Sequence, residues 1–285
     1  MFRSARERFG EFGNLFANKH DGNRIFCICR FISKKKLPQT VDIWTDSESN
    51  PNVVVLLPTE KLPPLLAETV HIWSRDGLNQ DRFDQLIDQV PLPLHRQFML
   101  HQIACEPTSP LVETYFRGKG GSVGNEGDNP LKTVILKDSC LSASLADLPD
   151  GFYIDSLTLA DAEMVNNTWK FNKGNLSLDR MKFWIKYLPS SALRDSAGQL
   201  KGNCLLADWG AFVHLYVDPL FRGRGFAAQL LLDCGRKIVE CQLDIPIHTH
   251  ISAYNPASLR TATKAGFEDG NFCINYEIYD PPQNT

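Results

Sequence analysis

Between Ala211 and Cys241 the hydrophobic period of the chain changes, and the change falls on a short run of glycine and arginine. Ala211 to Val217 (AFVHLYV) is an apolar strand pattern. After Gly225 the apolar residues Ala227, Leu230, Leu231, Cys234, Ile238 and Cys241 recur every three or four positions, which makes a helix with one buried stripe. A strand that hands over to a helix within a few residues confines the chain to folds that mix the two. The join itself, VDPLFRGRGFAA from Val217 to Ala228, carries chemistry. The first turn of a helix has unpaired N–H groups and the positive end of the helix dipole, both suited to a phosphate. Gly223 and Gly225 let that backbone come close to a ligand and adopt conformations closed to other residues, while Arg222 and Arg224 add positive charge.

Alone, this join has two readings besides a phosphate site. It can be a bare strand-to-helix turn whose glycines serve geometry only. Gly223, Gly225 and Ala228 also satisfy the dinucleotide fingerprint, but that motif needs an acidic residue ending the next strand, and PIHTHISA (Pro246 to Ala253) has none. One further strand–helix–strand unit follows, too little for a dinucleotide domain.

The rest of the chain bounds what surrounds this join. Its 285 residues fit one large domain or two, and two are expected. With 43% apolar residues, 22% charged residues and a net charge of -3, nothing electrostatic points to nucleic acid or to an anionic membrane. An anionic ligand must therefore be met by local groups. The 8 cysteines are scattered, and the closest pair, Cys27 and Cys29, would point to opposite faces of a strand and could not share a metal. They read as reduced thiols of an intracellular protein, cytoplasmic or mitochondrial, and no metal is expected. No apolar run approaches the roughly 20 residues of a membrane span, and no signal-peptide core follows the start, so a soluble chain is expected. The opening MFRSARERFGEFGNLF reads as a capped surface helix, since Glu7 and Glu11 do not suit a transit peptide.

In the first half, strands are expected at Arg24 to Phe31 (RIFCICRF), Asn52 to Leu57 and Thr69 to Trp73. Lys34, Lys35 and Lys36 form a solvated turn. Helices are expected at Asp81 to Val90 and Leu94 to Ile103. Gly118 to Pro130, with five glycines, reads as a mobile loop; Lys119 is followed by Gly120 and Gly121 rather than by the serine or threonine of a Walker loop. A strand from Leu131 to Lys137 and turn residues to Asp150 place the domain boundary at 148, dividing the chain into 1–148 and 149–285. The second half reads strand 152–157, helices 160–169 and 177–187, and a strand pair turning at Asp195 to Gly198 with return arm Leu200 to Asp208. Strand 211–217, helix 225–240, strand 246–253, helix 256–265 and strand 272–279 follow. The fold class is α/β with antiparallel connections, that is, α+β in detail.

Two stretches taken together carry a family resemblance. VDPLFRGRGFA resembles the V-x-P-x-x-R/Q-G-x-G-x-A pyrophosphate loop of the GCN5-related N-acetyltransferase superfamily. Asn255-Pro256-Ala257-Ser258, followed by Lys264-Ala265-Gly266-Phe267, is similar to the segment that comes after it there. Val165 to Phe171 (VNNTWKF), the turn at Asp195 to Gly198, and His250 five residues before Asn255 resemble the glycine N-acyltransferase family. VVVLLP and TVHIWSRD are similar to that family's N-terminal domain.

The resemblance implies a GCN5-related N-acetyltransferase fold in the C-terminal half, preceded by a related, degenerate α/β domain. It implies acyl-CoA or acetyl-CoA as co-substrate, lying between two splayed strands, and a small-molecule amine, glycine or another, as acceptor. Leu215, Tyr216 and Val217 would offer backbone groups to the pantetheine arm, as a strand adds to a sheet edge. Arg222, Gly223, Arg224, Gly225, Phe226 and Ala227 would hold the phosphates, with Asn255 and Ser258 beside the cofactor. Asn255 before Pro256 also suits a helix N-cap. Asn166 would border the acceptor, and Trp169 next to it reads as core.

Acyl transfer to an amine requires a deprotonated nitrogen, a polarised thioester and a proton returned to the thiolate. In vertebrate glycine N-acyltransferases the base is a glutamate near the start of the strand before the loop, and Ala211 stands there. The superfamily's acidic tyrosine, seven residues after the asparagine, is replaced by Ala262. The remaining candidates are His250, which shares a strand face with His248, then Asp208, expected to be solvated, and His214. Two other functions stay open: a noncatalytic acyl-CoA-binding protein, and an acetyltransferase acting on a peptide or protein amine.

Overall fold

The computed structural model describes residues 1–4, 8–17, 19–38, 40–59, 68–125, 130–141 and 147–282. In chain order the first half gives β1 (Phe2–Arg3), α1 (Phe9–Asn14), α2 (Asn23–Ser33), β2 (Val41–Thr45), β3 (Val53–Pro58), β4 (Thr69–Ser74), α3 (Gln80–Ile87) and β5 (Phe98–Ala104). It continues with α4 (Thr108–Gly118), β6 (Ser122–Asn125), β7 (Leu131–Leu136) and α5 (Asp138–Leu141). The second half gives β8 (Phe152–Asp155), α6 (Ala162–Asn167), α7 (Asn175–Tyr187), β9 (Ser190–Asp195), β10 (Leu200–Leu206) and β11 (Ala211–Val217). It ends with α8 (Phe226–Glu240), β12 (His248–Ser252), α9 (Pro256–Ala265) and β13 (Phe267–Asp280).

The apolar stripe of α8 does what its period requires: Leu230, Leu231, Cys234 and Ile238 are buried against β9, β10 and β11. Burying each large aliphatic side chain contributes about 1.5–3 kcal/mol. Helix α9 starts where Asn255 accepts the Ser258 N–H at 3.1 Å and Pro256 takes the first helical position. It stops at Gly266, whose φ of 94° and whose contact with Cys140 both exclude a side chain.

The strands join in the order β1-β2-β3-β4-β5-β13-β7-β12-β11-β10-β9-β8, with β6 on the free side of β13. Two pairs are parallel, β4 with β5 and β11 with β12, one in each half. The centre of this order is an exchange. Strand β7, from the first half, lies between β12 and the beginning of β13, with Thr133 opposite His250 and Leu136 opposite Phe267. The other end of β13 crosses into the first half, where Glu277 faces Leu100 of β5 on one side and Asn125 of β6 on the other. Tyr279 accordingly sits at 0% exposure in a core otherwise built from β3, β4, β5, α3 and α4. The larger core joins α1 and α2 to the sheet and helices of the second half.

Several expectations are corrected here. RIFCICRF is the helix α2, not a strand. Ile25, Phe26, Cys27, Ile28, Cys29 and Phe31 are all buried, and a helix covered on most sides has no polar face to reveal its period. Cys27 and Cys29 therefore lie on a helix, and burial pushes both thiols up. The helix expected at Leu94 to Ile103 is β5, a strand covered on both faces, which erases alternation in the same way. Helix α1 buries Phe9 and Phe12 and exposes Glu11 and Asn14, and it begins without the expected side-chain cap; residues 5–7 lie outside the described residues. The glycine-rich run contains β6, paired with β13; residues 126–129 lie outside the described residues. All eight cysteines are free. No described helix is long and apolar enough to cross a membrane.

Candidate active site

Strands β11 and β12 pair only at Ala211 with His248 and at Phe212 with Thr249, and then part. A bulge in β11 drives them apart. Against β10, Val213 faces Leu205 and Tyr216 faces Asn203, so His214 and Leu215 together oppose Cys204. His214 takes a φ of 54°, and the Asn203 amide donates to its carbonyl at 2.5 Å. The backbone of β11 beyond the bulge is therefore left without a strand on its β12 side, and a cavity of about 360 Å³ opens there.

The loop after β11 follows directly on this parting strand. Asp218 accepts the Leu220 N–H at 2.9 Å, and Pro219 starts a single 3-10 turn. The Arg222 Nε donates back to the Val217 carbonyl at 2.9 Å, and the Arg224 guanidinium lies over the Phe221 ring. Gly223 and Gly225 have φ of 79° and 85°, and an added Cβ at either would meet nothing within 4 Å. Glycine is needed there for backbone conformation, and the space above is open. Among the described residues no backbone acceptor takes the N–H groups of Gly223 through Ala227; the first such bond is Ala228 N–H to the Gly225 carbonyl, at 3.1 Å. The loop offers a row of donors at a positive helix end, which fits the pyrophosphate of a nucleotide thioester.

The expected cofactor residues divide into two sets. Leu215, Asn255 and Ser258 line the cavity. Tyr216, Val217 and the 222–227 loop come next in the chain after Leu215 and are not part of the cavity wall. Phe226 is core, packed on Phe152 with ring centroids 5.0 Å apart, so only its N–H faces a ligand role. Asn255 spends its Oδ1 on the cap of α9.

His250 lines the cavity as well. Its Nδ1 is 2.9 Å from the Thr133 hydroxyl, and its Nε2 is buried without a hydrogen-bond partner. Burial, His248 and Arg24 hold it well below the usual histidine range, so it is neutral at pH 7. His214 also faces the cavity, its ring 4.5 Å from Trp169, and burial brings it down to about 3. Asp208 is not solvated as expected. It is 8% exposed, accepts the Trp184 indole N–H at 2.8 Å, and is absent from the cavity wall; burial raises its pKa. Ala211 is buried, and Ala262 presents a methyl to the cavity.

Asn166 does not reach the cavity. Its amide donates to the Asn172 side chain at 3.2 Å and the Gly174 carbonyl at 3.3 Å, tying down the 168–174 connection. That connection supplies Trp169, Lys170, Phe171 and Lys173 to the cavity, so Trp169 is wall rather than closed core.

Sequence reasoning missed the inner wall. Arg180 and Trp184 of α7 face the cavity with Trp209, His101 of β5 and Tyr276 of β13. The His101 ring packs tilted against Trp209 at 4.1 Å and edge-on against Tyr276 at 4.5 Å, and its Nδ1 is buried without a hydrogen-bond partner among the described residues. The available signal was Arg180, a charged residue on the buried stripe of α7 beside Ser177, Met181 and Trp184. Nothing local marks His101, because β5 reaches the site only through the strand exchange. Among the described residues no group of three or more histidines, cysteines or carboxylates is placed to hold a metal ion.

Comparison with known proteins supports this architecture. A family model described as FR47-like protein matches residues 192–273, which runs from β9 into β13. No curated protein matches the sequence. A solved Drosophila melanogaster protein superposes with a TM-score of 0.79 at 17% identity, covering 99% of this chain and 99% of that one. A tandem protein of the GCN5-related N-acetyltransferase fold from the clavulanic acid biosynthesis pathway gives 0.54 at 11% identity, covering 99% and 98%. A GCN5-related N-acetyltransferase from Sphaerobacter thermophilus gives 0.55 at 13% identity, covering 97% and 93%. The chain has the GCN5-related N-acetyltransferase fold, a mixed α/β architecture, as its second half led us to expect.

Proposed function

We propose that this protein is an acyl-CoA-dependent N-acyltransferase that moves an acyl group from coenzyme A to the amine of glycine or another small amine. The observation that carries the reading is the parting of β11 from β12 directly above the open N–H row of Gly223 to Ala227. Coenzyme A would supply the activated thioester. On this reading the loop holds the pyrophosphate, and the unpaired backbone of β11 around Leu215 to Val217 holds the pantetheine amides. Asn255 and Ser258, which line the cavity from the α9 side, would border the arm.

The acceptor would enter the aromatic end, where Trp169, Trp184 and Trp209 stand with Arg180. Holding the two reactants in line is the larger contribution to rate. His250, oriented by Thr133 and bare at Nε2, is the side chain we propose for proton transfer. Asp208 would act through Trp184, whose indole it fixes, rather than on the substrate.

A thiol-release assay crossing acyl-CoAs with amines tests this reading. Release with one donor and acceptor class is expected; no release with any combination would overturn it. Ala211 and Ala262 favour one other reading, an acyl-CoA-binding protein without turnover. It predicts stabilisation against heat by acyl-CoA together with silence in that assay.

A further inference from the structure

His250 belongs to two walls. Besides the large cavity it lines a separate pocket of about 10 Å³, whose other walls include Thr133, Asp21, Asn23 and Arg24, none of which touches the large cavity. The small pocket has roughly the space that one water requires. Asn23 and Arg24 open α2 and Asp21 lies in the turn before it, so this side of the pocket comes from the first half of the chain. Asn23 and Arg24 are 5% and 3% exposed, and Asn23 Nδ2 and Arg24 Nε are buried without a hydrogen-bond partner among the described residues. Another nitrogen of Arg24 donates to the Ile72 carbonyl. Asp21 accepts the Trp73 indole N–H on Oδ2 at 2.6 Å, which leaves Oδ1. The amide and guanidinium N–H groups only donate and the carboxylate only accepts, so an occupant that serves both must do both, as water does. Burying those donors unpaired would be costly.

We propose that one water in this pocket, held by Asp21, Asn23 and Arg24, takes the hydroxyl hydrogen of Thr133 and so fixes His250 as the tautomer protonated on Nδ1 and bare on Nε2. Its catalytic meaning rests on the acyltransfer reading above. Water and a carboxylate oxygen each accept two hydrogen bonds, so the pocket has room for the Thr133 hydrogen beside those of Asn23 and Arg24. A hydroxyl that has donated to the water keeps its oxygen free to accept, and His250 Nδ1, 2.9 Å away, must then carry the hydrogen between them. Without the water, Thr133 would donate to Nδ1 just as readily, and the ring would be protonated on Nε2. Asp21, Asn23 and Arg24 are thus positioning residues that act through Thr133, as the third member of a catalytic set orients its base. The bare Nε2 takes the proton that a neutral amine nitrogen sheds once its C–N bond to the thioester carbon has formed, and gives it to the sulfur as the C–S bond breaks. One proton has moved from nitrogen to sulfur, the products are an amide and a free thiol, and the ring ends in the tautomer it began with. A ring protonated on Nε2 has no lone pair there to take that proton.

The test is Asp21→Asn in the full chain. The Trp73 indole can only donate, so it holds the new amide by its oxygen and turns the NH2 into the pocket, replacing an acceptor with a donor. The Thr133 hydrogen is then displaced onto Nδ1. Nitrogen NMR of protein labelled in its histidine rings, with His250 assigned by its loss in His250→Gln, should show Nδ1 protonated in the parent protein and Nε2 protonated in Asp21→Asn. Nε2 protonated in the parent, or the same tautomer in both, would overturn the proposal. This readout needs no turnover, so its failure is distinct from silence of every donor and acceptor in the thiol-release assay. Where thiol is released, kcat should fall at least about tenfold in Asp21→Asn, short of the loss on removing His250 itself, with the KM for acyl-CoA unchanged. An unchanged kcat would overturn the positioning role. A crystal structure of the parent protein should show the water between Thr133 and Asp21, and a dry pocket would overturn the proposal as well.

Discussion

The side-chain amide of Asn203 donates to the backbone carbonyl of His214 on the neighbouring strand, and this bond holds the bulge that separates β11 from β12. Asn203 is 1% exposed, so the bond is shielded from water. Replacing Asn203 with leucine leaves the carbonyl buried and unpaired, at a cost of about 1–3 kcal/mol. Denaturant unfolding should show that loss. Acyl-CoA stabilisation of the variant should fall further than its stability does, because the bulge sets the width of the opening.

At Gly225 the argument concerns conformation rather than space. An added methyl would touch nothing within 4 Å, yet φ is 85°. Gly225→Ala should cost about 1–2 kcal/mol for the left-handed backbone, and should weaken coenzyme A binding by turning the N–H row. If binding by calorimetry is unchanged, the loop is not the phosphate site.

His250 and Thr133 form a bond across the exchanged strands. His250→Gln should lower kcat about 10²-fold or more, the usual size of a lost proton-transfer group, with the KM for donor nearly unchanged. Thr133→Val should show a smaller loss of the same kind, since it releases only the orientation of the ring. Steady-state thiol release distinguishes the two.

Asp161 ties the turn that leads into α6 to Arg194 of β9. Burial alone would raise its pKa, but hydrogen bonds from Arg194 and Thr158 bring it below the ordinary aspartate value. A carboxylate with a depressed folded pKa stabilises fully above its unfolded value, about 4, and that contribution disappears as pH falls through the folded value. Acid unfolding should therefore lose part of its steepness in Asp161→Asn, which should also cost about 1.5–3 kcal/mol at neutral pH, as for a lost hydrogen bond to a charged group.

We keep the division into 1–148 and 149–285 as a proposal about sequence units, not about independent folding. A chain cut at 148 leaves β7 on one piece and β13 on the other, and each half of the sheet needs the strand that the other piece carries. Each piece alone should be insoluble or unfolded, whereas the two expressed together should form a soluble one-to-one complex. Gel filtration and circular dichroism check this.

The backbone geometry of the 217–228 loop and of the start and stop of α9 was readable because its signals are local. Gly223, Gly225, Asn255, Pro256 and Gly266 each answer a backbone requirement within a few residues, and each stands where its type predicts. The aromatic end of the cavity was not readable, because its residues come from distant elements and share no pattern. His101, Arg180, Trp209 and Tyr276 meet only in the folded sheet. The two misread elements, α2 and β5, fail for a related reason: both are covered on nearly all sides, and a segment without a solvent face loses the alternation that tells helix from strand. Trp169 shows the converse, an aromatic taken for core because nothing in sequence separates a wall from an interior.

The exchange of β7 and β13 also bears on the order in which a ribosome can finish this protein. Residues 98–125 emerge long before residues 274–280, which are to lie between β5 and β6. Until those arrive, the first sheet has an open slot with unsatisfied backbone edges, the sort of feature that invites pairing with other chains. The early half must therefore wait, partly built, for the late one. Synthesis rate and chaperone supply should govern yield more strongly here than the stability of the finished fold.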